Sequence, residues 1–496
     1  MEPRSALSTM HSFFNCQNRL LHSLLPMEAS CQPSKKGVLL QPLESKEMSI
    51  NYSLKSMIKR YVNASGVLIF FAILALVMAN SPLKEQYFSF WEQEVHLSIG
   101  DFNLFSHNGH AMSIMAVIND FLMAMFFLSV GLEIKREILV GELSSMKKAM
   151  LPIIGAMGGM LVPVIIFWLT CPNDAEMLRG VAIPMATDIA FSLGVLSIFS
   201  NRVPAGLKIF LATLAVADDL GGIIVIALFY SSETDIQFLL LALACTMLLI
   251  AGNKAKIMKK RFYLAIGVVL WFAMLNSGIH ATIAGVIVAF CIPASLKKGT
   301  PYYIERIRNN ISSFPVTETA GKHNTVILSH DDIHKLKSIE SAADKLISPL
   351  QALEDEFCHF INFIVIPLFA FANVGIDFSS MEPGNLINGV GLSVMCGLLF
   401  GKFIGVLSFS WAAIRCRIVT MPKGCNWKSF AAVCMLCGIG LTVSIFIADL
   451  SYNNGSTTGM QLLNEAKIGI LCGSLASAII GCIMLNIYLP KENTKA

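Results

Sequence analysis

Residues 211–223 read LATLAVADDLGGI. The stretch is apolar except at its middle, where two neighbouring aspartates, Asp218 and Asp219, interrupt it. Apolar sequence continues on both sides, from residue 206 to residue 230. That exceeds the ~20 residues a helix needs to cross a bilayer. Read as a spanning helix, the stretch carries two carboxylates to mid-membrane depth, and the rest of the chain must be built to hold them there.

Composition supports that reading. The chain has 496 residues, 55% hydrophobic and 14% charged, with a mean hydropathy of +0.64. Soluble domains carry about 25% charged residues. The fold class is therefore an all-α polytopic membrane protein. The net charge of +4 says little about partners, because the distribution of the charge matters more, and no nucleic-acid partner is expected. The 13 cysteines are scattered, mostly in apolar runs. Cys434 and Cys437 form a C-x-x-C without a second pair, so they read as small packing residues, and no cofactor is expected.

Twelve transmembrane helices are expected, roughly at 64–80, 113–134, 149–170, 179–200, 206–230, 235–253, 262–276, 277–294, 357–376, 386–414, 428–450 and 466–489. The seventh and eighth are short and nearly fused. Basic residues alternate between the connecting loops. Lys55, Lys59 and Arg60 precede the first span, and Lys135, Arg136, Lys147 and Lys148 follow the second. Lys254, Lys256, Lys259, Lys260 and Arg261 follow the sixth, whereas the intervening loops hold only Lys84, Arg179 and Lys467. The positive-inside rule then places both termini in the cytoplasm. Residues 1–55 read as a disordered extension or as upstream sequence translated by mistake, and 56–490 as the transmembrane domain. Residues 295–355 are charged and polar and read as a long cytoplasmic loop. Residues 87–105, YFSFWEQEVHLSIGDFNLF, alternate at Val95, Leu97 and Ile99, turn at Gly100-Asp101, and alternate again at Phe102 and Leu104. That is the pattern of a small outer β-hairpin.

Two spans are interrupted. The fourth contains IPMATDIAF, with Pro184 and Thr187-Asp188 at its middle. The eleventh contains LCGIGLTVSIF, with Gly438, Gly440, Thr442 and Ser444 at its middle. Each is the central member of a three-span group, and the two groups start on opposite sides of the membrane. Inverted three-helix repeats with interrupted helices in matching positions mark the substrate site of a secondary transporter. Irregular backbone survives at that depth only where protein or a water-filled cavity covers it.

Four charged residues lie near span centres: Asp188, Asp218, Asp219 and Lys402. At about 2.5–3.5 kcal/mol each on insertion scales, they sum to roughly 10–14 kcal/mol if they face lipid. They must pair, line water or change protonation. A buried pair that only fixes helix packing accounts for Lys402 and one aspartate, and leaves two carboxylates unexplained. Carboxylate, hydroxyl and carbonyl oxygens are hard donors suited to small hard cations. Two carboxylates close together resist double ionisation. Such a pair takes protons or holds a cation, never both on the same oxygens. Competition for one site, combined with access from alternating sides, suffices for exchange. Opposed half-helix ends add partial charges of both signs, which Asp188 and Lys402 can balance.

Three further groups carry weaker signals. Glu133 and Glu137 stand one turn apart at the cytoplasmic end of the second span, either as an ordinary charged helix end or to attract cations and sense pH. Asp120 reads as a helix-packing acid or a transport residue. His280 reads as a satisfied core histidine or a site residue.

Seven stretches resemble the NhaA-type sodium/proton antiporter family: AVINDFLMAMFFLSVGLEIKRE, IPMATDIAFSLGVL, LAVADDLGGIIVIALFY, SGIHATIAGVIV, PLFAFANVGI, GKFIGV and LCGIGLTVSIFIADL. The match runs in order from about residue 60 to 490. That family is itself among the transporters from which the inverted-repeat rule is drawn. The resemblance implies twelve helices, two of them interrupted and crossed, and exchange of cytoplasmic Na⁺ or Li⁺ for external H⁺ across a bacterial inner membrane. It implies that Asp218 and Asp219 carry ion and proton, that Asp188 and Thr187 lie at the crossing, and that Lys402 pairs with Asp218 or balances the crossing. It also implies that Glu133 and Glu137 respond to cytoplasmic pH and that the 87–105 hairpin joins two copies into a homodimer. Three features depart from the family pattern: residues 1–50, the length of the 295–355 loop, and Asp449, which closes the eleventh span where an uncharged residue is expected.

Two other functions remain to be weighed. An intramembrane aspartyl protease also uses paired aspartates, but on two helices facing one water; here they are adjacent on one helix, and Gly-x-Gly-Asp is missing. A cation channel needs a selectivity ring, and interrupted helices at one midplane site suit a carrier better. No enzyme activity is expected. Proton movement against a Na⁺ gradient in sealed vesicles separates carrier from channel.

Overall fold

The fold grows from long apolar helices whose ends are capped by short polar side chains. In the computed structural model, residues 64–489 are described apart from 97, 100–101, 104, 108–109, 173, 200–201, 230–234, 297–298, 313–329, 379–388, 423 and 454–455. The expected extension over 1–55 lies outside the described residues. The chain divides after Arg60, and the described helices all belong to the unit Tyr61–Ala496.

Helix α1 (Ala64–Ala79) turns by 109° into α2 (Lys84–Glu92). Then α3 (Ile114–Leu139) starts where Ser113 accepts from the Ala116 amide at 3.2 Å. Helix α4 (Met146–Thr170) is followed by a 3₁₀ segment, Met177–Met185, and α5 (Ile189–Ile198). Next come α6 (Ala205–Phe229), α7 (Ile236–Lys254), α8 (Lys260–Ser277) and α9 (Thr282–Cys291). Helices α10 (Thr300–Ser312) and α11 (His330–Asp344) pack on each other, with Arg306 donating to the Ser338 hydroxyl at 3.1 Å. Helix α12 runs from Pro349 to Asn373 and α13 from Val390 to Arg415, with a π-helical turn at Gly397–Gly401. Helices α14 (Trp427–Leu436) and α15 (Leu441–Tyr452) precede α16 (Thr457–Tyr488), which Ser456 caps by accepting from the Gly459 amide at 2.9 Å.

Among the described residues, seven helices are long and apolar enough to cross a membrane, or up to ten when each bent pair counts as one span. This is a multi-pass membrane protein. The lipid-facing side is legible on α7, where Leu240, Leu243 and Met247 point outward and Ala242, Cys245 and Leu249 pack inward. The largest buried apolar cluster draws on α1, α3, α4, the 3₁₀ segment, α6, α12, α13, α15 and α16, and two smaller ones flank it. One packs α3, α7, α8, α9 and the start of α12 around Leu132, Tyr263, Leu270 and Leu353. The other packs α4, α5, α6, α13, α14 and α16 around Leu214, Phe210, Val406 and Phe430. A small seam of Val130, Ile134 and Val216, with Leu220 against it, joins α3 to α6.

Several expectations need correction. The stretch 87–105 is not strand throughout, since α2 occupies it to Glu92 and Tyr87 and Trp91 bury themselves against Ala372 and Phe371. Beyond it, Ser98–Ile99 pair antiparallel with Phe102–Asn103, and Ser106–His107 with His110–Ala111, each over two residues; the turn at Gly100-Asp101 lies outside the described residues. The 295–355 region is not merely loop. It holds α10, α11 and the first turn of α12, which Ser348 caps ahead of Pro349. Lys467, expected in a loop, sits inside α16 and is buried.

Candidate ion-binding site

The site forms where two broken helices meet. The 3₁₀ segment Met177–Met185 and α5 are bent by 43° across Ala186–Asp188, and α14 and α15 by 44° across Cys437–Gly440. Pro184 ends the first segment, and glycine permits the second break: a side chain at Gly440 would meet the Ala186 carbonyl oxygen at 2.7 Å. The breaks bond directly to each other. The Asp188 amide donates to the Ile439 carbonyl at 2.7 Å, and Gly440 donates to the Ser474 hydroxyl at 3.1 Å. Ser444 donates to the Ile183 carbonyl at 2.8 Å. Backbone groups freed by the interruptions thus find partners inside the protein, as their depth requires.

Asp188 caps two helices at once. One carboxylate oxygen accepts from the Phe191 amide of α5 at 3.0 Å. The other accepts from the Thr442 amide and hydroxyl of α15 at 3.3 and 2.9 Å. One negative charge therefore faces the positive ends of two half-helices, the arrangement in which helix dipoles favour an anion. The Thr187 hydroxyl lies 2.7 Å from Asp218 Oδ2 and 3.0 Å from the Cys437 carbonyl oxygen, and its single proton serves those two acceptors.

Asp218 accepts from Lys402 Nζ at 2.6 Å, and both side chains are 0% exposed. Lys402 reaches it because α13 crosses α4 at two glycines: a Cβ at Gly405 would lie 2.2 Å from the Gly158 carbonyl oxygen, and one at Gly158 would lie 2.3 Å from that of Gly405. Of the two alternatives, Lys402 takes the bond to Asp218, while the carbonyl ends of the crossing are met by Thr187 and by the Asp188 amide.

Asp219 is different. Successive helical residues point about 100° apart, so its neighbour's partners do not reach it. It shares the α6 face of Val216 and Leu220 that packs on α3. Both of its carboxylate oxygens are buried without a hydrogen-bond partner, and so is Oδ1 of Asp218. The charges around Asp219 are Asp218, Glu133 and Asp188, all acidic, and Lys402. Three buried carboxylate oxygens with no protein donor, among more acids than bases, form a donor set for a proton or a small cation.

The crossing gathers Asp188, Thr187, Asp218, Asp219 and Lys402, the five residues singled out from the sequence. Glu133 faces the same region from α3. Glu137 belongs to a separate group at the end of α3, where Arg136 pairs with it at 3.1 Å and also with Glu354 of α12. Asp120 faces Asp449 of α15. His280 lies in the turn after Gly278, where its carbonyl accepts from Ile283 at the start of α9. Sequence reading missed the Cys437 carbonyl, Ser474 and the Gly158–Gly405 contact. The first is backbone, and the others act through shape or through partners far along the chain.

A family model described as Na+/H+ antiporter 1 matches residues 55–485. The chain is 50% identical over 445 residues to the Na(+)/H(+) antiporter NhaA of Bacteroides fragilis, covering 90% of this chain and 100% of the relative. It is 49% identical over 448 residues to that of Bacteroides thetaiotaomicron, again covering 90% and 100%. Identity to that of Parabacteroides distasonis is 43% over 433 residues, covering 87% and 95%. These are transporters and not enzymes. The paired aspartates at the crossing of two broken helices thus sit in a chain that belongs to the Na+/H+ antiporter 1 family.

Proposed function

We propose that the chain exchanges cytoplasmic Na⁺ or Li⁺ for external H⁺, and that Asp218 and Asp219 form the site for which cation and proton compete. The observation that carries this reading is Asp219, whose two buried oxygens have no partner in the protein. Left charged and empty, such a carboxylate costs several kcal/mol, on the order of the penalty for any unpaired buried ion. A proton removes the charge, and a cation with the Asp218 oxygen beside it compensates the charge. The two states exclude each other.

Each neighbour then has a role. Lys402 and Thr187 hold Asp218 in place. Asp188 keeps the two broken helices together, its carboxylate on two helix starts and its amide on the Ile439 carbonyl. Asp219 lies where α6 packs on α3, so a small shift of these helices against each other would open it to one side and close it to the other. That is alternating access. Lys260–Ser277 and Thr282–Cys291, taken as spans with the ten above, make twelve, with spans three to five and ten to twelve as inverted repeats and both termini in the cytoplasm of a bacterial inner membrane. Glu133 and Glu137, with Arg136 and Glu354, are the cytoplasmic groups proposed to respond to pH. The short strand pairs after α2 are the proposed contact between two copies.

Sealed vesicles test the reading. A Na⁺ gradient, and separately a Li⁺ gradient, should move protons the other way, whereas K⁺ should not. Asp218→Asn or Asp219→Asn should abolish this. Full exchange by both variants would remove the aspartates from the mechanism.

A further inference from the structure

Asp449, the acid that departs from the family pattern, does not stand alone. It lies on α15 seven residues after Thr442, which is bonded to Asp188. Seven residues are about 10 Å of helix and almost two full turns, so the two side chains share one face. The face between them carries Ile445 and Phe446, both buried, and Phe446 packs on Phe127 of α3.

The surroundings of Asp449 are polar and built. One oxygen accepts from Asn453 at 3.0 Å and the other from Asn119 of α3 at 3.4 Å. Asn119 is in turn locked to Asn373 of α12 by reciprocal amide bonds of 2.9 and 2.7 Å, and Asn373 also donates to the Phe369 carbonyl at 2.9 Å. Both asparagines are buried. Two charged groups face Asp449: Lys467 of α16, buried at 6% exposure, and Asp120 of α3. Lys467 faces Asp449, whereas the charge beside Asp120 is the like charge of Asp449, so one acid is left without a counter-charge. On the orientation proposed above, all these residues lie in the outer half of their helices. A cavity of about 10 Å³, the size of one water, lies between this cluster and the crossing; it is lined by Met123, Phe126, Val365, Ile366, Phe369 and Thr442.

We propose that Asp449, with Lys467 and Asp120, is an outer loading point for the incoming proton, separated from Asp218 and Asp219 by the apolar layer around Phe126, Phe369 and Phe446. The inference rests on the exchange reading above. Asp449 or Asp120 takes up a proton from the outer side, Lys467 holds the remaining charge, and the proton passes inward when the layer opens. No covalent step is involved; a proton leaves one carboxylate and joins another.

The test is Na⁺ efflux from proteoliposomes carrying the full chain, at fixed inner pH, as the outer pH is varied. Asp449→Asn should move the outer-pH profile toward acid, and Lys467→Gln toward alkali, because a carboxylate without its cation keeps a proton more firmly. Each shift should be about one pH unit or more, the scale on which one nearby opposite charge acts. Half-saturating inner Na⁺ should stay as in the parent protein, and Asp449→Glu should restore the parent profile. Parent profiles in both Asp449→Asn and Lys467→Gln would overturn the proposal, as would a loss of exchange by Asp449→Asn that Asp449→Glu does not restore. Should Asp449→Asn not fold, the other two variants decide in the same way. Absence of exchange by the parent protein itself would instead refute the underlying reading.

Discussion

Replacing Lys402 with methionine keeps the bulk of the side chain and removes its charge. In the structure Lys402 Nζ lies 2.6 Å from Asp218 Oδ2, with both side chains at 0% exposure. Asp218 then keeps one donor, the Thr187 hydroxyl at 2.7 Å. Stranding one member of a buried pair costs about 3–5 kcal/mol. For a chain this long, 1 kcal/mol moves the unfolding midpoint by about 1 °C, so Lys402→Met should unfold roughly 3–5 °C lower at alkaline pH. A proton on Asp218 relieves the stranded charge. The folded variant binds that proton more firmly than the unfolded chain does, so its stability deficit should shrink as pH falls. The double variant Lys402→Met with Asp218→Asn has no stranded charge and should recover most of the loss at every pH. Thermal unfolding in detergent, followed by tryptophan emission across a pH series, measures all three proteins. The reasoning fails if Lys402→Met unfolds with the parent at alkaline pH, or if the double variant is the least stable of the three.

Three further outcomes follow from the same geometry. Asp219→Asn should abolish Na⁺-driven proton movement yet unfold at or above the parent temperature, because it removes a buried charge that has no partner; a large loss of stability would contradict this. Thr187→Val removes the hydroxyl between Asp218 and the Cys437 carbonyl. A lost buried donor costs about 1–3 kcal/mol, so half-saturating Na⁺ should rise about fivefold or more, and an unchanged value would refute the role given to Thr187. Gly405→Ala places a methyl group 2.2 Å from a backbone oxygen of α4, one turn from Lys402, and should cut both exchange and stability, whereas Gly66→Ala meets nothing within 4 Å and should be neutral.

The membrane class and four of the residues at the crossing, Asp188, Asp218, Asp219 and Lys402, were legible because charge at bilayer depth is costly and therefore conspicuous, and Thr187 came with the interrupted stretch beside Asp188. Pro184 and the glycines around residue 438 likewise mark where helices must break. That Asp188 balances half-helix ends was expected from charge alone, but the atoms it meets on the second helix, which begins at Leu441, were not, because nothing local links the two. Lys467 was misplaced because TTGMQLLNEAK is polar enough to read as loop, although Ser456 starts a helix there and α15 buries one side of it. The start of α12 was missed for a similar reason, since Glu354, Asp355 and Glu356 hid the Ser348-Pro349 cap. The region of 87–105 misled through its aromatics, which bury a helix against α12 before any strand begins.

The central claim is that proton and cation occupy the same oxygens in turn. Purified protein in weakly buffered detergent solution, titrated with NaCl against a KCl control, tests it most directly. Bound Na⁺ should be matched by protons released into the medium, and Asp219→Asn should release none. Saturable Na⁺ binding, seen by calorimetry, with no accompanying proton release would contradict it.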